Sequence, residues 1–95
     1  MPQLLTSLEA ESDFIHIWQY IAEDSPLNAD RFLDYLNSQA LKLAHAPQIG
    51  TLHLELGPEI RIFPTKNYLL IYKPIPDGIL LLRVIHSSIE YTQLF

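Results

Sequence analysis

The sequence predicts an α+β fold in which a helical hairpin packs on a small antiparallel sheet, in the order β-α-α-β-β-β. Three observations carry this. The apolar pattern changes once, near residue 47, from a helical period to strand-like runs. Only two or three residues separate the two helical stretches, which suits an antiparallel αα-hairpin. Asp77-Gly78 stands between two apolar runs, a strong hairpin signal. Helices followed by strands, rather than alternating with them, put the helices on one face of an antiparallel sheet.

The elements follow in order. Gln3 to Thr6 reads as a short edge strand. Thr6-Ser7-Leu8-Glu9 fits a capping box with Thr6 as the cap. Phe14, Trp18 and Ile21 recur at helical spacing, widened by Ile17 and Ala22, so an amphipathic helix is expected over about 8–23. Glu9, Glu11 and Asp13 suit the positive end of its dipole. Ser25-Pro26 starts the second helix, because Ser caps well and Pro needs no N–H at the first helical position. Phe32, Leu36, Ala40 and Leu43 form its buried stripe, and Pro47 ends it. Residues 47–59 carry Gly and Pro at both ends and read as a loop. Strands are expected over 60–63, 68–73 and 79–86, the last two joined by Pro74 to Gly78. Both of these longer strands are apolar in both phases, so both sheet faces need cover. The helices supply one cover; the tail, a second copy or a partner supplies the other.

A chain of 95 residues, 48% hydrophobic, with 17 Leu and 11 Ile, is one domain over 1–95 and is not disordered. It has no Cys, which excludes disulfides, thiolate metal sites and cysteine nucleophiles, and fits a reducing cytoplasm. Its longest apolar run is Tyr68 to Tyr72, far short of the roughly 20 residues of a membrane span, so no membrane association is expected. Met1-Pro2-Gln3-Leu4-Leu5 does not read as a secretory signal. The net charge of −5 argues against direct sequence-specific nucleic-acid binding by this chain alone. That total divides into −7 for residues 1–59 and +2 for residues 60–95. The basic third could receive an acidic partner, or could simply solvate a sheet edge.

No strong catalytic motif emerges. His53-x-Glu55 resembles half of a zinc-deaminase signature with no Cys pair to complete it. His16, His45, His53 and His86 lack metal-ligand spacing, and no Gly-rich phosphate loop exists, so neither metal nor cofactor is expected. The most plausible catalytic set is Arg61, Arg83 and His86 with Tyr68 or Tyr72, which could hold a phosphate and move a proton as a metal-independent ribonuclease does. Arg61 and Arg83 are expected on neighbouring strands, and His86, three residues after Arg83, on the opposite face of a regular strand. The plainer reading is that the arginines pair with acids or line a groove. Tyr68, Tyr72 and Phe63 could stack bases or fill a core or interface.

Taken in order, these segments resemble the ParE toxins of the RelE/ParE toxin–antitoxin superfamily, also called plasmid stabilisation proteins. The residues that carry the resemblance are Ile17 to Pro26, Ala29-Asp30-Arg31-Phe32, Ala46 to Gly50, Leu56 to Arg61, Phe63-Pro64, Asn67 to Pro74 and Asp77 to His86. The resemblance implies a toxin neutralised by a cognate, ParD-like antitoxin, with DNA gyrase as the target of ParE-like members and mRNA cleavage on the ribosome for RelE-like ones. The acidic balance and thin catalytic set place the chain on the ParE side, leaning away from an enzyme. One departure is Ser87-Ser88-Ile89-Glu90, where relatives commonly carry a Gly-Ala-Arg-Asp-like stretch. Ile89 in place of Arg bears on target poisoning more than on fold.

Three readings follow. The first is a non-enzymatic inhibitor whose Arg61, Tyr68, Tyr72, Lys73, Arg83 and His86 bind an antitoxin or target, the partner adding a strand or laying a helix in an apolar groove. The second is a ribosome-dependent endoribonuclease using Arg61, Arg83 and His86. The third is an inactive relative that only binds an antitoxin. A homodimer or a hetero-oligomer with the antitoxin is the expected assembly.

Overall fold

A computed structural model describes residues 2–95. Strand β1 (Gln3–Thr6) leads into helix α1 (Leu8–Ala22), and helix α2 (Pro26–His45) returns antiparallel to it. Strands β2 (Thr51–Leu52), β3 (Arg61–Thr65), β4 (Tyr68–Ile75) and β5 (Gly78–His86) follow, with short 3-10 turns at Leu54–Leu56 and Tyr91–Leu94. The sheet order is β1-β5-β4-β3-β2.

The expected α+β architecture holds, with differences of detail. The sheet is mixed, because β1 runs parallel to β5 while the other pairs are antiparallel. The cap of α1 is Ser7, not Thr6. Its hydroxyl accepts from Ala10 N at 3.1 Å and donates to the Leu82 carbonyl at 2.8 Å, while Thr6 still belongs to β1. Ser25 caps α2 as expected, accepting from Asn28 N at 3.2 Å. The segment expected as a loop contributes the two-residue β2 and a 3-10 turn, neither of which has enough periodicity to register in sequence. The β4–β5 hairpin is tighter than the five-residue connection expected, since Ile75 already pairs with Gly78. Gly78 (φ 147°) is obligatory there, because a Cβ would overlap the Gln3 backbone where β1 docks.

Both faces of the central strands are covered by the chain itself. On the helix side, Leu70, Tyr72, Ile79, Leu81 and Val84 pack against Ile17, Leu36, Ala40 and Leu43. Each large aliphatic side chain buried there contributes about 1.5–3 kcal/mol. On the other side, Ile62, Leu69, Ile71 and Ile85 are covered by Leu56 and Ile60 of the β2–β3 segment, with Tyr91 of the tail packed beside them. A β-bulge in β5 shifts the phase of the alternation by which the strand serves both cores. Ile71 pairs with Arg83 and Tyr72 with Leu81, leaving Leu82 as the extra residue. Leu81 and Val84, three residues apart, therefore both reach the helix-side core.

Candidate functional site

The chemistry-bearing residues divide between two ends of the sheet. Arg61 and Arg83 are not on neighbouring strands, because β4 lies between β3 and β5.

At one end Arg61 and Tyr72 hold the loop after α2. The Tyr72 hydroxyl donates to the Pro47 carbonyl at 2.7 Å and accepts from Gly50 N at 2.8 Å. The Arg61 guanidinium donates to the Gly50 carbonyl and to Gln48 Oε1, both at 2.7 Å. Tyr72 is fully buried, and burial pushes its hydroxyl pKa above the usual phenol value. Its expected part in partner binding is therefore corrected: it presents no surface. Arg61 is likewise committed to backbone and amide acceptors, and it lines a different cavity from Arg83 and His86. The set Arg61, Arg83 and His86 is not assembled.

At the other end Arg83, His86 and Tyr68 do come together, lining one groove between α1 and β5 with His16, Tyr20 and Ile89. Arg83, paired with Ile71, and His86, paired with Tyr68, do lie on opposite faces of β5 as expected, and they share the groove because it opens at the sheet edge. Strand β1 stops opposite Leu81, so the outer edge of β5 lies open beyond it. Asp13 of α1 takes that edge. It accepts from Arg83 Nε at 2.8 Å, from Arg83 Nη2 at 3.0 Å and from Val84 N at 2.9 Å. The carboxylate raises the arginine pKa still further and cancels its charge, so Arg83 is a poor free anion receptor.

Beyond Arg83 the groove becomes aromatic. The Tyr68 ring meets His86 edge-on with centroids 5.3 Å apart, and Phe32 at 5.4 Å. Burial, then the neighbouring Tyr20, raises the Tyr68 pKa. His86 Nδ1 lies 2.7 Å from Ser88 Oγ and accepts from Ser88 N at 3.1 Å, leaving Nε2 as the free ring nitrogen. Lys73 is half-buried on β4, and among the described residues it has no ion pair. His53 Nδ1 is 2.9 Å from Glu55 and holds that carboxyl below its usual range. Among the described residues no three His, Asp or Glu side chains converge as a metal site requires. No helix there is long and apolar enough to cross a membrane.

Sequence reasoning missed Asp13 as the partner of Arg83, having assigned it to the helix dipole. A signal existed: one arginine inside an otherwise apolar strand requires a buried acid. Tyr20, Phe32 and Asn67 were also missed, and nothing in their spacing groups them.

The molecule is thus a small helical hairpin on a mixed sheet, with a groove between the first helix and the last strand. The model of the family described as "ParE toxin of type II toxin-antitoxin system, parDE" matches residues 4–91, and the chain belongs to that family. It is 28% identical over 79 residues to Toxin RelE3 of Caulobacter vibrioides, covering 82% of this chain and 86% of that protein. Its fold is shared with a structure titled "Chromosomal ParDE TA system from P. aeruginosa", at TM-score 0.72 and 18% identity, over 90% of this chain and 96% of that one.

Proposed function

We propose that this chain is the toxin of a type II module that inhibits a protein target, DNA gyrase, without catalysing a reaction, and that a ParD-like antitoxin neutralises it in the cytoplasm. The family match across residues 4–91 carries this reading. The geometry supports the non-enzymatic part. Arg83 is neutralised by Asp13 and Arg61 is held by loop acceptors, so neither offers a free charge to a scissile phosphate. Of Arg61, Lys73 and Arg83, Lys73 is the cation that no acceptor holds among the described residues, and it is available to acidic antitoxin residues.

Expression of the chain alone should arrest growth, and co-expression with the small neighbouring gene should relieve the arrest and give a co-purifying complex. The purified chain should inhibit gyrase supercoiling. Equal growth in both cases with no co-purification would overturn the reading. Growth arrest that depends on gyrase disposes of the inactive-relative reading raised by Ile89, which sits on the groove rim.

One observation favours ribosome-dependent mRNA cleavage as a second reading: Arg83, His86 and Tyr68 line a single groove. If it holds, Arg83→Ala slows cleavage in a translating extract by about 10²–10³-fold. Intact mRNA at high protein concentration removes it.

A further inference from the structure

The end of the sheet away from the groove holds a separate cavity of about 270 Å³, lined by Gln48, Leu52, Leu54, Glu59, Arg61 and Pro74. It shares no residue with the groove. Arg61 is the group to account for. Its Nη1 donates to the Gly50 carbonyl and its Nη2 to Gln48 Oε1, both at 2.7 Å, with the Gln48 carbonyl 3.5 Å from Nη1. These acceptors are uncharged, and five N–H donors meet only three of them. Among the described residues Nε–H has no acceptor, and no carboxylate stands within ion-pair distance of Arg61. The loop therefore fixes the half-buried guanidinium without cancelling its charge, and leaves the Nε side open. The same molecule shows what that side of an arginine takes: Asp13 binds Arg83 through Nε and Nη2, at 2.8 and 3.0 Å.

We propose that this cavity binds a free aliphatic α-amino acid, its carboxylate on the Nε side of Arg61, its ammonium toward Glu59 and its side chain against Leu52, Leu54 and Pro74. The lining selects that class. It carries one cation and one anion, which a zwitterion matches. A phosphate dianion meets repulsion from Glu59, and the terminal carboxylate of a peptide brings no ammonium to answer it. Leu52 and Leu54 are 43% and 69% exposed, so an aliphatic side chain laid over them gains by burial. The volume falls below the roughly 300–1,000 Å³ of pockets for drug-sized ligands, which suits a molecule of this size. Glu59 also stands in the left-handed region (φ 63°), a strained backbone of the kind that gathers at ligand sites. Because Arg61 is already held in place, binding need not order it. This site does not rest on the gyrase reading and stands or falls separately from it.

The test is a titration of the ¹⁵N-labelled full-length chain with L-leucine, L-valine, glycine, N-acetyl-L-leucine, L-leucinamide and inorganic phosphate, read at the Arg61 Nε–H and the Leu54 amide. Leucine and valine should give saturable shifts at millimolar concentration, as a ligand of so few atoms permits. Glycine should bind about tenfold more weakly for want of a side chain. N-acetyl-L-leucine, which lacks the ammonium, should bind about threefold more weakly, and L-leucinamide, which lacks the carboxylate, should give no saturable shift. Arg61→Lys should weaken leucine about tenfold. Since that change also loosens the loop, Glu59→Gln at an exposed position supplies the second measurement: it should erase the preference for leucine over N-acetyl-L-leucine with the fold unchanged. The proposal is overturned if leucine gives no saturable shift, if N-acetyl-L-leucine or L-leucinamide binds as tightly as leucine, if phosphate moves the same resonances, or if the preference survives Glu59→Gln.

Discussion

The two ends of the sheet use the same residue types for opposite purposes. Around Tyr72 and Arg61, a tyrosine hydroxyl and a guanidinium face the backbone of the loop after α2, and most of their hydrogen-bonding capacity is met inside the fold. Around Tyr68 and His86, a tyrosine hydroxyl, an amide and a ring nitrogen face a cleft and have no protein partner among the described residues. Burial explains the difference. At the first end an unpaired polar group would be cut off from water, so the chain must satisfy it; at the second, solvent satisfies it.

Mutations should break this contrast in a graded way. The largest effect is expected for Gly50→Val. Its Cβ would overlap the buried Tyr72 ring, and the locked end would have to shift, at a cost of about 3 kcal/mol measured by urea unfolding. Asp13→Ala comes next. It leaves the Arg83 guanidinium and the Val84 N–H without their acceptor at a half-buried edge, and should cost about 2–3 kcal/mol, between the exposed and buried limits for ion pairs. Restoring neutrality with Arg83→Met in the same chain should recover part of that loss.

Tyr72→Phe should cost about 1–2 kcal/mol, because Gly50 N and the Pro47 carbonyl lose their partner. It should also change the alkaline limb of stability. The folded pKa of Tyr72 is raised, so its contribution is fully present below the unfolded value near 10 and is lost as pH rises through the folded value. Stability of the native chain should fall with pH above about 10, and less steeply in the variant. Smallest of all is Tyr68→Phe at the open end. Its hydroxyl bonds nothing among the described residues, so unfolding should change by under about 0.5 kcal/mol. A loss at Tyr68 as large as that at Tyr72 would erase the distinction between the two ends.

Local rules made much of the fold legible. The 3.6-residue stripes of α1 and α2, Ser25-Pro26 and the terminating Pro47 are each set by residues within one or two turns, and the helices lie within a residue of their expected limits. The cap on α1 was displaced by one residue because Thr6 pairs with Leu81, a partner far away in the chain. The same kind of distance hid β2 and the bulge at Leu82.

The site was legible only as an inventory. Arg61, Tyr68, Lys73, Arg83 and His86 stood out as polar or aromatic residues in an apolar third, but which were free could not be read from their order.

By itself the sequence determined the class of fold, the helical hairpin and membership of a recognisable toxin family, since these rest on periodicity and on motifs kept in order. Tertiary structure alone decided that β1 joins in parallel, that Asp13 claims Arg83, that Tyr72 is an internal tether and that Tyr20, Phe32, Asn67, Tyr68 and His86 share a cleft. The physical reason is that burial and pairing are properties of surroundings, and those surroundings are assembled from segments up to 75 positions apart in the chain.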